Sequence, residues 1–325
     1  MTDPLHLPGT AISRRSIAVG AFSVDGEYSG VTGYLMEGSR PMWRGLVTSL
    51  ASAASEVGAL LAVGISALTV SVLSTANLDA WGWRMPFLVG AVLAGVVLVT
   101  RSTMQESPEF KRQQTRGTVS RNPLRWALLH RRGALLRTFA ISALVSILSY
   151  VGIIYVPTFL TSAGTLSERD TLWFSTVAAL VVLLVTPLVG VLSDRIVRKP
   201  VLTALAVSGL ALPIALFVLM QTGAAVLTIL GAVLMACLAG GASAVGAVSA
   251  PEQLSGEGRL RGLALGATAA TAVFGGLTPY VAQLLIENTS WALIPGAMIT
   301  AVALAMLPVF LKMAETSPAR TQEIA

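Results

Sequence analysis

Residues 200–251 read PVLTALAVSGLALPIALFVLMQTGAAVLTILGAVLMACLAGGASAVGAVSAP and contain no charged side chain. A bilayer core takes about 20 apolar residues per helix. The run is too long for one crossing and far too long for the core helix of a soluble domain. It breaks once, at Gln221-Thr222-Gly223, into two apolar halves. Two such halves joined by a small polar turn read as a transmembrane hairpin. Comparable charge-poor blocks recur along most of the chain, so the sequence predicts a polytopic membrane protein.

Composition agrees. Hydrophobic residues make up 54% of the chain and charged residues 12%, with a mean hydropathy of +0.75; soluble domains carry about 25% charged residues. A transmembrane β-barrel alternates apolar and polar residues over short segments, whereas these runs are continuous. The predicted class is therefore an all-α membrane protein. Its 30 glycines and 15 prolines predict kinked, closely packed helices. Cys237, the single cysteine, lies inside an apolar run and forms no internal disulfide, so it reads as a packing residue. His6 and His130 both fall outside the apolar runs. No metal cluster, no His–Ser pair and no cofactor is called for, and the sequence does not read as an enzyme. The formal net charge of +6 does not imply nucleic acid, because the basic residues gather in loops. Arginine far outnumbers lysine, which occurs only at 111, 199 and 312, a compositional mark of GC-rich bacterial coding.

Nine crossings are expected, at about 16–37, 46–73, 82–100, 138–163, 171–193, 200–220, 224–250, 262–286 and 291–311. The loops between them sort by charge. One set holds Arg40 and Arg44, the long 101–137 segment, Arg195, Arg198 and Lys199, Arg259 and Arg261, and Lys312 with Arg320. The other holds Asn77 to Asp79, Glu168-Arg169-Asp170, Gln221-Thr222 and Glu287-Asn288. Basic residues mark the cytoplasmic side, so the first set and the C-terminus are expected inside. The first crossing is interrupted by Asp25 and Glu27. An odd number of spans would also carry Arg14 and Arg15 outward, against the charge rule. Either that span does not insert as drawn, or something upstream is absent. Within the basic 101–137 segment, Asn122-Pro123 has the form of a helix start. That helix is expected either to lie at the headgroups of anionic lipid or to belong to a solvated linker.

Charge inside a span is costly and is a functional hypothesis by default. Glu56 lies ten residues into the crossing that opens at Leu46, about 15 Å deep at 1.5 Å per residue. Surroundings poor in water disfavour a charged carboxylate, which suits a group that takes up and releases a proton. The alternative is a carboxyl bonded to a neighbouring helix for packing. Asp25 and Glu27 are further acids within a span and point to different helix faces. Tyr150 and Tyr155, with Pro157 just beyond, are candidates to line a pathway or simply to pack. Phe274-Gly275-Gly276 and Pro279 loosen another helix near its middle, and discontinuous helices often mark transporter sites.

The most specific local pattern is Gly190-Val-Leu-Ser-Asp194-Arg195-Ile-Val-Arg198-Lys199. It resembles the Gly-x-x-x-Asp-Arg-x-Gly-Arg-Lys loops of the major facilitator superfamily, with Val197 where that pattern has glycine. Several other segments resemble the metabolite–proton symporter branch, which contains proline/betaine, oxoglutarate, citrate and shikimate carriers. They are Gly26-Glu27-Tyr28-Ser29-Gly30 with Glu37 and Arg44-Gly45, Gly82-Trp83-Arg84-Met85-Pro86-Phe87, Glu106-Ser107-Pro108-Glu109-Phe110, Arg261-Gly262, and Phe274-Gly275-Gly276-Leu277-Thr278-Pro279. Asp25 stands where the branch has glycine, and the residues before it fit poorly.

The resemblance implies twelve spans in two six-helix halves, of which this chain looks like spans four to twelve. It implies residues 1–100 as an incomplete N-terminal bundle, 101–137 as a cytoplasmic linker, 138–313 as a six-helix bundle and 314–325 as a cytoplasmic tail. The implied activity is symport of a small organic acid or zwitterion with a proton across a bacterial inner membrane. Glu56, Glu27 and Asp25 are then the proton-coupling candidates. Tyr28, Tyr150, Tyr155 and Phe274 are the cavity candidates, and Gly190, Asp194, Arg195, Arg198 and Lys199 the cytoplasmic gate. The alternative is a non-transporting fragment, a relic or a partner that completes another chain, with the missing segment supplied upstream or in trans.

Overall fold

The computed structural model of the chain describes residues 30–36, 38–102, 132–162, 168–254 and 259–317. Asp25, Glu27, Tyr28, Glu37 and the whole of 103–131, including the Asn122-Pro123 helix start, lie outside the described residues. Among the described residues every regular element is a helix. Before residue 103 come the α-helices α1 (Arg44–Val72), the short α2 (Thr75–Ala80) and α3 (Met85–Ser102). After it come α4 (Arg132–Ser149), a π-helical stretch at Tyr150–Tyr155 and α5 (Val156–Ser162). Then follow α6 (Glu168–Ile196), α7 (Arg198–Ala211), α8 (Pro213–Gln221) and α9 (Ala225–Glu252). The chain closes with α10 (Arg259–Thr271), a second π stretch at Ala272–Gly276, α11 (Thr278–Thr289) and α12 (Ile294–Lys312).

Among the described residues, seven helical stretches are long and apolar enough to cross a membrane, and α7 with α8 makes an eighth if that bent pair is one crossing. These eight coincide with the last eight crossings read from the sequence. Of the first, only residues 30–36 are described, and they are helical. Two differences have a local cause. The crossing drawn straight through 200–220 bends by 45° between α7 and α8. Pro213 has no N–H and its ring crowds the carbonyl four residues back, so the helix restarts with Pro at its first position. The helix drawn from 138 begins earlier, at Arg132, so residues counted as linker extend α4 at its basic end.

In lipid no hydrophobic force pulls helices together, so close approach depends on small residues. α9 shows this along its length. A Cβ on Gly231 would lie 2.9 Å from the Leu216 carbonyl of α8, and one on Gly240 would lie 3.3 Å from the Val182 backbone of α6. One on Gly241 would lie 3.1 Å from the Leu205 side chain of α7. Buried residues make up 61% of the apolar stretch that contains α4 and 50% of that in α9, against 6% in that of α3, so α4 and α9 lie at the centre and α3 at the rim. The main core joins α4, α7, α8, α9 and α12 around Ile141, Leu144, Leu148, Phe217, Met235 and Phe310.

Both π stretches precede a proline, Pro157 and Pro279. A helical proline leaves a carbonyl on the preceding turn without its N–H partner, and a wider turn absorbs the mismatch. The two π stretches face each other. A Cβ on Gly275 would lie 2.8 Å from the Tyr150 ring, and Phe274 stacks edge-on against Phe139 of α4 at 5.9 Å.

Candidate functional site

The start of α1 and the end of α6 meet where Gly45 and Leu46 face Gly190 and Asp194. The first N–H groups of a helix have no partner within it, and the residue preceding α1, Trp43, supplies no side-chain cap. The cap comes from another helix. Asp194 accepts from the Gly45 N–H at Oδ1 and from the Leu46 N–H at Oδ2, both at 2.8 Å. A carboxylate at a helix N-terminus also meets the positive end of its dipole. Such an approach needs bare backbone on both sides. A Cβ on Gly45 would lie 2.6 Å from the Gly190 carbonyl, and one on Gly190 would strike the Ser49 side chain.

Arg198 lies beneath this contact. It is 1% exposed, with Nη1 at 2.8 Å from Asp194 Oδ1 and donating to the Ser193 carbonyl at 2.6 Å. Its Nε faces Glu252 Oε2, at the end of α9, at 3.4 Å. Thr316 donates to the same oxygen at 2.9 Å. Glu315 in turn accepts from the N–H groups of Arg198 and Lys199 at 3.0 and 2.9 Å, capping α7. The turn between α6 and α7 passes through Val197, whose φ of 76° and ψ of 167° fall where glycine alone is at ease.

Gly190, Asp194 and Arg198 therefore come together in one cluster. Lys199 joins through its backbone, and Arg195 is exposed and outside it. Sequence reasoning missed Glu252, Glu315, Thr316 and Ser193. The signal for the two acids was their position: each lies at or just beyond a helix end on the side where the basic residues collect.

Glu56 lies farther along α1. Gly45, Ser49, Ser52 and Glu56 recur at helical spacing on one stripe, and the first three are buried. The stripe runs against α6: Gly45 and Ser49 meet Gly190, a Cβ on Gly64 would sit 3.9 Å from Thr176, and Ser71 accepts from Trp173 Nε1 at 3.3 Å. Glu56 falls between those contacts, half-buried, and among the described residues its carboxyl has no hydrogen-bond or ion-pair partner.

The remaining candidates are dispersed. Tyr155, 2% exposed, donates to Gln283 Oε1 at 3.0 Å, and Gln283 donates to Glu287 at 2.9 Å. This chain ties the α4–α5 break to α11 at the end away from Asp194. A cavity of about 100 Å³ lies between residue 32 and helices α4, α9 and α10. Its hydroxyl lining comes from Thr32, Ser142, Ser146, Ser243 and Thr271. None of Glu56, Tyr150, Tyr155 and Phe274 borders it. Among the described residues the arrangement holds no activated nucleophile; what it does is clasp two helix ends together.

The family model described as "Sugar (and other) transporter" matches residues 15–126 and 112–325. The citrate-proton symporter of Klebsiella pneumoniae is 29% identical over 276 residues, covering 85% of this chain and 62% of that protein. The glycine betaine/proline/ectoine/pipecolic acid transporter OusA of Dickeya dadantii is 28% identical over 305 residues, covering 91% and 61%. The ectoine/proline transporter ProP of Corynebacterium glutamicum is 26% identical over 295 residues, covering 86% and 58%. The chain thus spans about three fifths of the length of these curated relatives. Among solved structures, the major facilitator proton:xylose symporter XylE bound to 6-bromo-6-deoxy-D-glucose superposes with a TM-score of 0.63 at 21% identity, covering 88% of this chain and 67% of that one. A D-xylose-proton symporter gives 0.60 at 19% over the same shares. At that identity the likeness shows the fold.

Proposed function

The chain belongs to the sugar (and other) transporter family of the major facilitator superfamily, and from that premise we propose that it works as part of a proton-coupled symporter for a small organic acid or zwitterion. The relatives support the substrate class, since they are named for citrate with a proton and for betaine, proline and ectoine. The observation that carries the mechanism is the Asp194 carboxylate on the N-terminus of α1. It links the helices before the 103–131 segment to those after it, at the end marked by basic loops, which is the cytoplasmic end by the charge rule. We read the structure as closed on that side. Rocking of one helix group against the other withdraws Asp194 from α1 and opens a path to the hydroxyl-lined cavity.

Glu56 lies on the same interface and serves as the proton carrier. Separating α1 from α6 changes its access to water, so proton uptake and gate movement are coupled by position. Asp25 and Glu27 are secondary proton candidates. Tyr28, Tyr150, Tyr155 and Phe274 are candidates for the substrate path. The exposed faces of α1 and α3 favour a companion reading in which transport needs further helices against them, in the same polypeptide or in trans. The test is accumulation of citrate, proline and glycine betaine in vesicles under a proton gradient. Glu56→Gln is expected to abolish accumulation while sparing exchange of substrate across the membrane. A Glu56→Gln protein that still concentrates substrate moves the coupling role elsewhere, first to Glu27. Absence of transport by residues 1–325 alone, restored by added helices, supports the companion reading.

A further inference from the structure

Val197 is a β-branched residue in a backbone region that L side chains essentially avoid, at φ 76° and ψ 167°. The residues on both sides of Val197 are held by contacts to other groups. On one side Asp194 is held by the α1 N–H groups at 2.8 Å. On the other, Arg198 is anchored through the Ser193 carbonyl and Asp194, and Glu315 fixes the Arg198 and Lys199 N–H groups. Of these contacts, only the one to α1 joins the two helix groups. When α1 withdraws, Asp194 loses both of its backbone partners and keeps Arg198.

We propose that Val197 is a built-in spring: its backbone strain is stored while Asp194 caps α1 and is released when that cap breaks, so it biases the protein toward the arrangement open at the Asp194 end. A glycine here carries no such strain and leaves the closed arrangement favoured. The inference rests on the reading of the Asp194 contact as a gate, and adds that this chain's gate is set more open than glycine would set it. Strain of this kind corresponds to about a fivefold to hundredfold shift in a two-state equilibrium.

The experiment places a cysteine at Ser243, which lines the hydroxyl cavity, in a Cys237→Ser background. Its labelling by an impermeant maleimide is followed in inside-out vesicles. Val197→Gly is expected to slow labelling at least about fivefold and to raise the melting temperature of the purified protein. Val197→Ala keeps the Cβ that forbids this backbone and is expected to leave both near the starting values. Equal slowing by Val197→Ala and Val197→Gly would assign the effect to side-chain bulk and overturn the spring. Unchanged or faster labelling in Val197→Gly overturns it as well. Asp194→Asn in the same vesicles separates the two ideas. If it fails to speed labelling, the gate reading falls and the spring with it; if it does so while Val197→Gly has no effect, only the spring falls.

Discussion

Asp194 presents one oxygen to the Gly45 N–H and the other to the Leu46 N–H, and still faces the Arg198 guanidinium. An asparagine can keep part of the cap but cannot balance a cation that is 1% exposed. Loss of a helix cap costs about 1 kcal/mol, and the buried Arg198 is left with Glu252, at 3.4 Å, as its counter-charge, so a weakened buried ion pair adds to that loss. Asp194→Asn should therefore lower the melting temperature by several degrees and impair transport. Lys199→Glu, whose side chain has no part in the cluster, should do little to either. Equal, mild effects at both positions would reduce the loop to plain charge bias. Asp194 was legible because its spacing from Gly190, Arg195 and Arg198 matches a known loop. Glu252 and Glu315 were not, because each stands alone in sequence and acquires its partner only when α9 and the chain after α12 reach the start of α7. Glu56 was legible from depth alone, whereas its place on the α1–α6 stripe depends on a register that no local pattern encodes.

At the scale of elements, the last eight crossings were read to within a few residues at most ends, because unbroken apolar runs leave the bilayer few choices. The breaks were harder to read. Pro213 and the loosened Phe274-Gly275-Gly276 stretch were visible as prolines and glycines, but the 45° bend and the facing of two π turns are products of packing. That facing has a direct test. A methyl on Gly275 would press on the Tyr150 ring at 2.8 Å, whereas one on Gly276 meets nothing within 4 Å. Overpacking of this kind costs about 1–3 kcal/mol. Gly275→Ala should lower both thermal stability and uptake rate, and Gly276→Ala should be near neutral. If the two variants behave alike, the two π turns do not press on each other as described.

At the scale of the whole molecule, the account depends on sidedness and on a contact that opens. Sidedness follows from the loop charges. A cysteine at Gln114, in a Cys237-free background, should resist an impermeant thiol reagent in intact cells, and one at Thr165 should react; the opposite pattern inverts the topology. The contact is tested most directly by a cysteine at Ser52, which is 1% exposed and shares the α1 stripe with Gly45 and Ser49. In inside-out vesicles its maleimide labelling should be slow while Asp194 is intact. It should quicken about tenfold or more in Asp194→Asn, the change expected when about 1.4 kcal/mol or more of closed-state stabilisation is removed. Equal labelling rates in the two proteins would contradict the claim that Asp194 closes this end of the molecule.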